Sequence, residues 1–154
     1  INTSASRYSP FWRRLRPANY RRLLSDAVFS RDRLRKEVAI LEITSNLREA
    51  DYLHQLADTW AGYARERPVS LANSLRQLLA AMRFRAPAAL PESVPVLIIN
   101  GAGDRLVSPA CSQTLAQAWD LPIKSHPQAG HDLPLDAPRW LINTLIEGVT
   151  DFSV

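Results

Sequence analysis

Val96-Leu-Ile-Ile-Asn-Gly-Ala-Gly-Asp104-Arg-Leu-Val107 runs from a short apolar stretch straight into a glycine-punctuated loop. The apolar run, counted from Val94 to Ile99, is rich in β-branched residues and does not alternate with polar ones. That pattern predicts a parallel strand covered on both faces. Gly101 and Gly103 then permit a sharp exit from the strand, which presents Asp104 just past its end.

Downstream, the pattern repeats. Ser108 and Pro109 read as the cap and first turn of a helix through Leu115 to Trp119, and Leu121 to His126 reads as a second strand. The loop Gly130-His131-Asp132 follows, with Gly130 leaving room beside the imidazole. Asp136-Ala-Pro138 then opens a terminal helix: Asp136 is expected to cap it, and Leu141, Ile142, Leu145 and Val149 to face inward. The order strand, helix, strand, helix predicts a parallel α/β unit. Two strands cannot cover both of their own faces, so this unit expects more sheet beside it.

Upstream of the proline-rich stretch Pro87 to Pro95, the chain reads as helical, the prolines marking the boundary by their fixed backbone angle and missing donor. Ser9-Pro10 suggests a first short helix that Pro17 ends, and helix resumes from Tyr20 to Phe29. Ser30 is expected to cap a longer helix with Leu34, Val38 and Leu41 on one side. A further helix carries Leu53, Leu56, Trp60 and Tyr63 on one face and closes at Pro68. The last opens near Ser70 with the stripe Leu71, Leu75, Leu78, Leu79 and Met82. No internal repeat or low-complexity tract interrupts this order.

The 154 residues, 46% hydrophobic and 22% charged, have the composition of a globular domain rather than of a disordered chain. A single cysteine, Cys111, excludes an internal disulfide and a multi-cysteine metal site. With His54, His126 and His131 it shows no ligand spacing, so neither a metal nor another cofactor is expected. No apolar run approaches the roughly 18 residues of a membrane span, no signal peptide is visible, and a cytoplasmic location is the default expectation. The net charge of +4 is concentrated near the start. Arg7, Arg13, Arg14, Arg16, Arg21, Arg22, Arg31, Arg33, Arg35 and Lys36 face only Asp26, Asp32 and Glu37, an excess of about +7. Such a run suits either a solvated helical face or an acidic protein partner. Without interleaved aromatic motifs it does not point to nucleic acid.

Asp104 past the first strand and His131 past the second, in that order, resemble the C-terminal part of the α/β-hydrolase superfamily. The resemblance implies an α/β fold in which residues 1–8 are the end of a core strand and its turn. Residues 9–92 would be a helical cap, and residues 93–154 the core unit bearing acid and histidine. It implies Ser-His-Asp chemistry on an ester, thioester or related acyl bond, Asp104 orienting the base His131. It also implies a nucleophile on a G-x-S-x-G turn. Gly62, Gly101, Gly103, Gly130 and Gly148 include no pair four residues apart, so that turn is absent and a fragment is expected, inactive by itself. A missing N-terminal half, or a second copy, would then cover the open sheet edge.

Other assignments compete at several positions. An aspartate at the missing turn would give an epoxide hydrolase or dehalogenase instead, and a basic binding module for an acidic partner needs no nucleophile at all. Asp132 and Asp136 compete with Asp104 for the acid role, but one is too close to His131 and the other is explained as a cap. His54 and His126 belong to a helix and a strand end. Ser4, Ser6 and Ser108 have turn or cap explanations. Of the aromatic residues Tyr8, Phe11, Trp12, Trp60 and Tyr63 that could line an apolar pocket, Tyr8, Phe11 and Trp12 are the candidate contacts for a small-molecule acyl substrate, and Trp60 fits core packing better.

Overall fold

The computed structural model describes residues 1–46, 49–91 and 93–151. The boundary expected at residues 92 and 93 falls on Glu92, which lies outside the described residues, as do the last three residues of the expected core unit. Helix α1 (Phe11–Arg14) is followed by a 3-10 turn (Pro17–Asn19), and α2 (Tyr20–Arg22) widens into a π-helical segment (Leu23–Val28). Three longer helices come next: α3 (Arg33–Thr44), α4 (Ala50–Glu66) and α5 (Leu71–Arg83). The second region contains β1 (Ile98–Gly101), α6 (Ala110–Trp119), β2 (Ile123–His126), α7 (Leu133–Asp136) and α8 (Pro138–Asp151).

The two strands pair in parallel, Ile98 opposite Ile123 and Gly101 opposite His126, with α6 as the crossover. Strand β1 is buried along its whole length. Its alternation sends Ile98 toward Leu115 and Ala116 of α6, and Ile99 toward Ala129, Leu133, Ala137 and Leu141. This is the two-sided cover that the unbroken apolar run predicts. A third core joins Leu41 of α3 to Leu53 and Ala57 of α4, with Leu135 of α7 packed against it. The helical layer is thereby seated on the segment that follows the histidine.

Several local expectations are corrected. Asp32, not Ser30, caps α3, its side chain accepting from the Arg35 amide at 3.2 Å, while the Ser30 hydroxyl accepts from the Asp32 amide. No side chain caps α6, so Ser108 does not fill that role. Tyr63 is exposed, because Ala57 and Ala61 lie on the inward face of α4 with Leu53. In α8 the inward residues are Leu141, Thr144 and Gly148; Ile142, Leu145 and Val149 are exposed. The short sheet offers Leu97 and Ile99 to this helix, and Gly148 allows the approach: a Cβ there would stand 2.8 Å from the Leu97 side chain. Ser70 does cap α5, accepting from the Asn73 amide, yet none of that helix's side chains is buried.

The basic run is partly consumed within the fold. Arg22 pairs with Glu42 and Arg35 with Asp26, while Arg14 and Arg33 donate to carbonyls of α5 and α4. Burial holds the Glu37 carboxyl above its ordinary range, against the opposing pull of Lys36.

Candidate active site

The loop leaving β1 is shaped by its own hydrogen bonds. The Asp104 amide donates to Gly101 at 3.2 Å, and one carboxylate oxygen of Asp104 accepts from the amides of Leu106 at 2.8 Å and Val107 at 2.9 Å. An aspartate accepting from the amides that follow it closes a turn and fixes its own rotamer. The second oxygen lies 2.8 Å from Nδ1 of His131. Asp104 is 2% exposed, while the histidine side chain is 30% exposed.

This arrangement dictates a tautomer. A carboxylate only accepts hydrogen bonds, so Nδ1 of His131 carries the proton and, in the neutral ring, Nε2 is the basic lone pair. The sequence-predicted acid and base are thus brought together, with the acid enclosed and the base partly open. His126 adopts the opposite arrangement: its Nδ1 accepts from the amides of Gln128 and Ala129, and its ring packs edge-on against Trp140. His54 is exposed on α4 and contacts the Ala50 carbonyl.

The loops bearing Asp104 and His131 lock directly onto each other. The Ala102 amide donates to the His126 carbonyl at 2.8 Å, and the Gly103 amide to the Ala129 carbonyl at 3.0 Å. The glycines are required for this closeness and not for unusual torsions, since no glycine has positive φ. A Cβ at Gly101 would stand 2.3 Å from the Ala129 carbonyl oxygen. At Gly130 it would meet the Thr44 carbonyl at 2.6 Å, so the small residue makes room for the helical layer and not for the imidazole.

Three polar residues complete the scaffold: Asn2 and Asn46, which the sequence does not single out, and Asp136, which it reads as a helix cap. Asn2 is held at φ 47°. Its amide donates to the Ile99 carbonyl and its Oδ1 accepts from the Gly101 amide, so it lies beside β1 where a neighbouring strand would. Its Nδ2 donates to the carbonyls of His131 at 2.5 Å and Gly130 at 3.2 Å. Asn46 donates to the carbonyls of Gly103 and Gln128. The carboxylate of Asp136 accepts from Ser45, Asn46 and Gly130, so it does not serve the terminal helix as a cap. The sequence signal at Asp136, a carboxylate just before a proline-started helix, points to a cap and not to these partners. For Asn2 and Asn46 there was none beyond their polarity.

The helical layer is tied to the acid loop at several points. Arg16 donates to the carbonyl of Asp104, Asn19 to that of Arg105, and the Ser108 amide to that of Arg13. Arg105 reaches back to the carbonyls of Glu42 and Ser45 at the end of α3. Helix α1 therefore lies alongside the acid loop, presenting Phe11 and Trp12, an edge-to-face pair 63% and 53% exposed. Tyr8 is placed differently. Its ring packs edge-on against Trp119 and its hydroxyl donates to the carbonyl of Pro87. A cleft of about 260 Å³ between Ile1, Phe84, Val96 and Trp119 is lined by neither Asp104 nor His131. The hydroxyl of Ser6 donates to Phe84, and that of Ser112 to Thr3.

A buried aspartate and a partly open histidine in direct contact, each on a loop at the carboxyl edge of a parallel sheet, stand where ligands of α/β proteins collect. The model of the alpha/beta hydrolase family matches residues 3–144, and the chain belongs to that family. No curated protein matches it. Among the described residues no helix is long and apolar enough to cross a membrane, and no three His, Cys, Asp or Glu side chains cluster as a metal would require.

Proposed function

We propose that Asp104 and His131 are the orienting acid and the general base of a serine hydrolase acting on an ester, thioester or related acyl bond, with the nucleophile contributed from outside these 154 residues. The observation that carries this reading is the 2.8 Å contact between Nδ1 of His131 and the enclosed Asp104 carboxylate. With Nδ1 engaged, Nε2 takes the serine proton as the hydroxyl oxygen attacks the acyl carbon, forming the tetrahedral intermediate. It then returns the proton to the departing alkoxide or thiolate as the carbon–heteroatom bond breaks. Water attacks the acyl-enzyme with the same base assisting, releasing the carboxylic acid and restoring the serine.

In this reading the helical layer is a cap. Its bonds to the acid loop support the assignment, and the exposed Phe11 and Trp12 suit the apolar portion of an acyl substrate. Tyr8 is the weaker of the three proposed contacts, because its ring and hydroxyl are already engaged.

Joining the chain to a family half that carries a G-x-S-x-G turn, and following hydrolysis of short-chain 4-nitrophenyl esters, tests the reading. His131→Ala should lower kcat by about six orders of magnitude. Unchanged turnover in that variant would refute the assignment of the base. The chain alone should show no turnover.

A further inference from the structure

We propose that Asp136 and Asn46 form a clasp that positions the Asp104–His131 pair, a role resting on the acid–base reading above. The contacts converge on the two residues that immediately precede the acid and the base. Oδ2 of Asp136 accepts from the amide of Gly130, the residue before His131, at 2.6 Å, and from the amide of Asn46 at 2.8 Å. Nδ2 of Asn46 donates to the carbonyl of Gly103, the residue before Asp104, at 3.0 Å, and to that of Gln128 at 2.7 Å. Oδ1 of Asp136 accepts from the hydroxyl of Ser45 at 2.5 Å, which anchors the clasp to the end of α3. The clasp grips the backbone on which the reacting groups turn, so both residues are positioning residues.

Two further features fit this role. A Cβ on Gly103 would stand 2.5 Å from Nδ2 of Asn46, and one on Gly130 would stand 3.0 Å from Oδ2 of Asp136. The glycines flanking the pair are therefore small where the clasp closes on them. Acid–base geometry loses effect when a reacting group strays by as little as about 0.5 Å, so a brace one residue from each partner acts where displacement matters most.

The chemistry of the clasp separates its variants. Every hydrogen bond to the Asp136 carboxylate comes from a donor, so Asp136→Ala leaves the Gly130 and Asn46 amides without their acceptor. In Asp136→Asn the amide oxygen can take the place of Oδ2, while the new NH2 group donates to Ser45, whose hydroxyl both donates and accepts. The clasp thus depends on acceptor geometry, and Asp136→Asn preserves it.

The test uses the chain labelled with 15N-histidine, its three imidazoles assigned by single His→Gln substitutions. In the unaltered chain His131 should show a protonated Nδ1 in slow exchange with water, and His126 the opposite tautomer. Asp136→Ala and Asn46→Ala should lose the His131 Nδ1 proton resonance or exchange it roughly tenfold faster. His126 and the near-ultraviolet circular dichroism should be retained, and Asp136→Asn should keep the original signature. If Asp136→Ala does not fold, Asn46→Ala decides alone. Folded variants that keep the slowly exchanging Nδ1 proton would overturn the clasp while leaving the acid–base reading intact. An unaltered chain without that proton would refute the acid–base reading and the positioning role together.

Discussion

The junction of the loops after β1 and β2 contains almost no regular structure, whereas α5 is a regular thirteen-residue helix with a broad apolar stripe. The junction is nonetheless the more enclosed of the two. Asn2, Asn100 and Asp104 are buried there with their polar atoms bonded, while Leu71, Leu75, Leu79 and Met82 of α5 stand exposed. Regular backbone geometry satisfies the interior hydrogen bonds of a helix, and only the ends of α5 draw on Ser70 and Arg14. An irregular loop must find partners for each buried polar group, and here those partners come from four separate segments.

Substitutions can break this contrast. Leu133 is fully buried beneath the histidine loop, and Leu133→Ala should cost about 4 kcal/mol through lost burial and the cavity left behind, measured by chemical denaturation. Gly101→Ala adds only a methyl group, yet it meets a backbone oxygen that cannot rotate away. We expect a loss of about 3 kcal/mol, with weakened protection of the Gly103 amide in hydrogen exchange. The same leucine-to-alanine change at Leu75 of α5 should stay within about 0.5 kcal/mol, since the side chain is 45% exposed and alanine favours helix. A loss at Leu75 comparable to that at Leu133 would erase the distinction.

The smallest expected effect is a dependence on pH at Glu37. Burial raises its folded-state pKa above the unfolded value, so its stabilising contribution is complete below the unfolded value and is lost as pH rises through the folded one. Glu37→Gln should flatten that part of the stability profile, and an unchanged slope would show that the residue is not responsible.

The pattern of legibility follows the same contrast. Strands β1 and β2, the crossover helix and the placing of Asp104 and His131 just past the strands could be read because each depends on neighbours in sequence: an apolar run, a turn, a polar residue at a strand end. The inward face of α8 was misread because the stripe of Ile142, Leu145 and Val149 is real, but periodicity says only that a face is apolar and not which surface meets it. Glycine could be recognised at positions 101, 103 and 130. Its cause could not, because the obstructing atoms belong to residues brought there by the fold. Asp136 illustrates the limit most clearly, since its position before a proline-started helix suggests a cap while its carboxylate turns to Ser45 and Asn46 instead.

The side chain of Asn2 also joins distant parts of the chain. Its bond to the His131 carbonyl spans 129 positions, and the bond between Ser45 and Asp136 spans 91. Contacts of such range carry a larger loop-closure entropy than local ones. The backbone of His131 is thus held in part by a residue 129 positions away, so fixing this loop carries the entropy of closing most of the described chain.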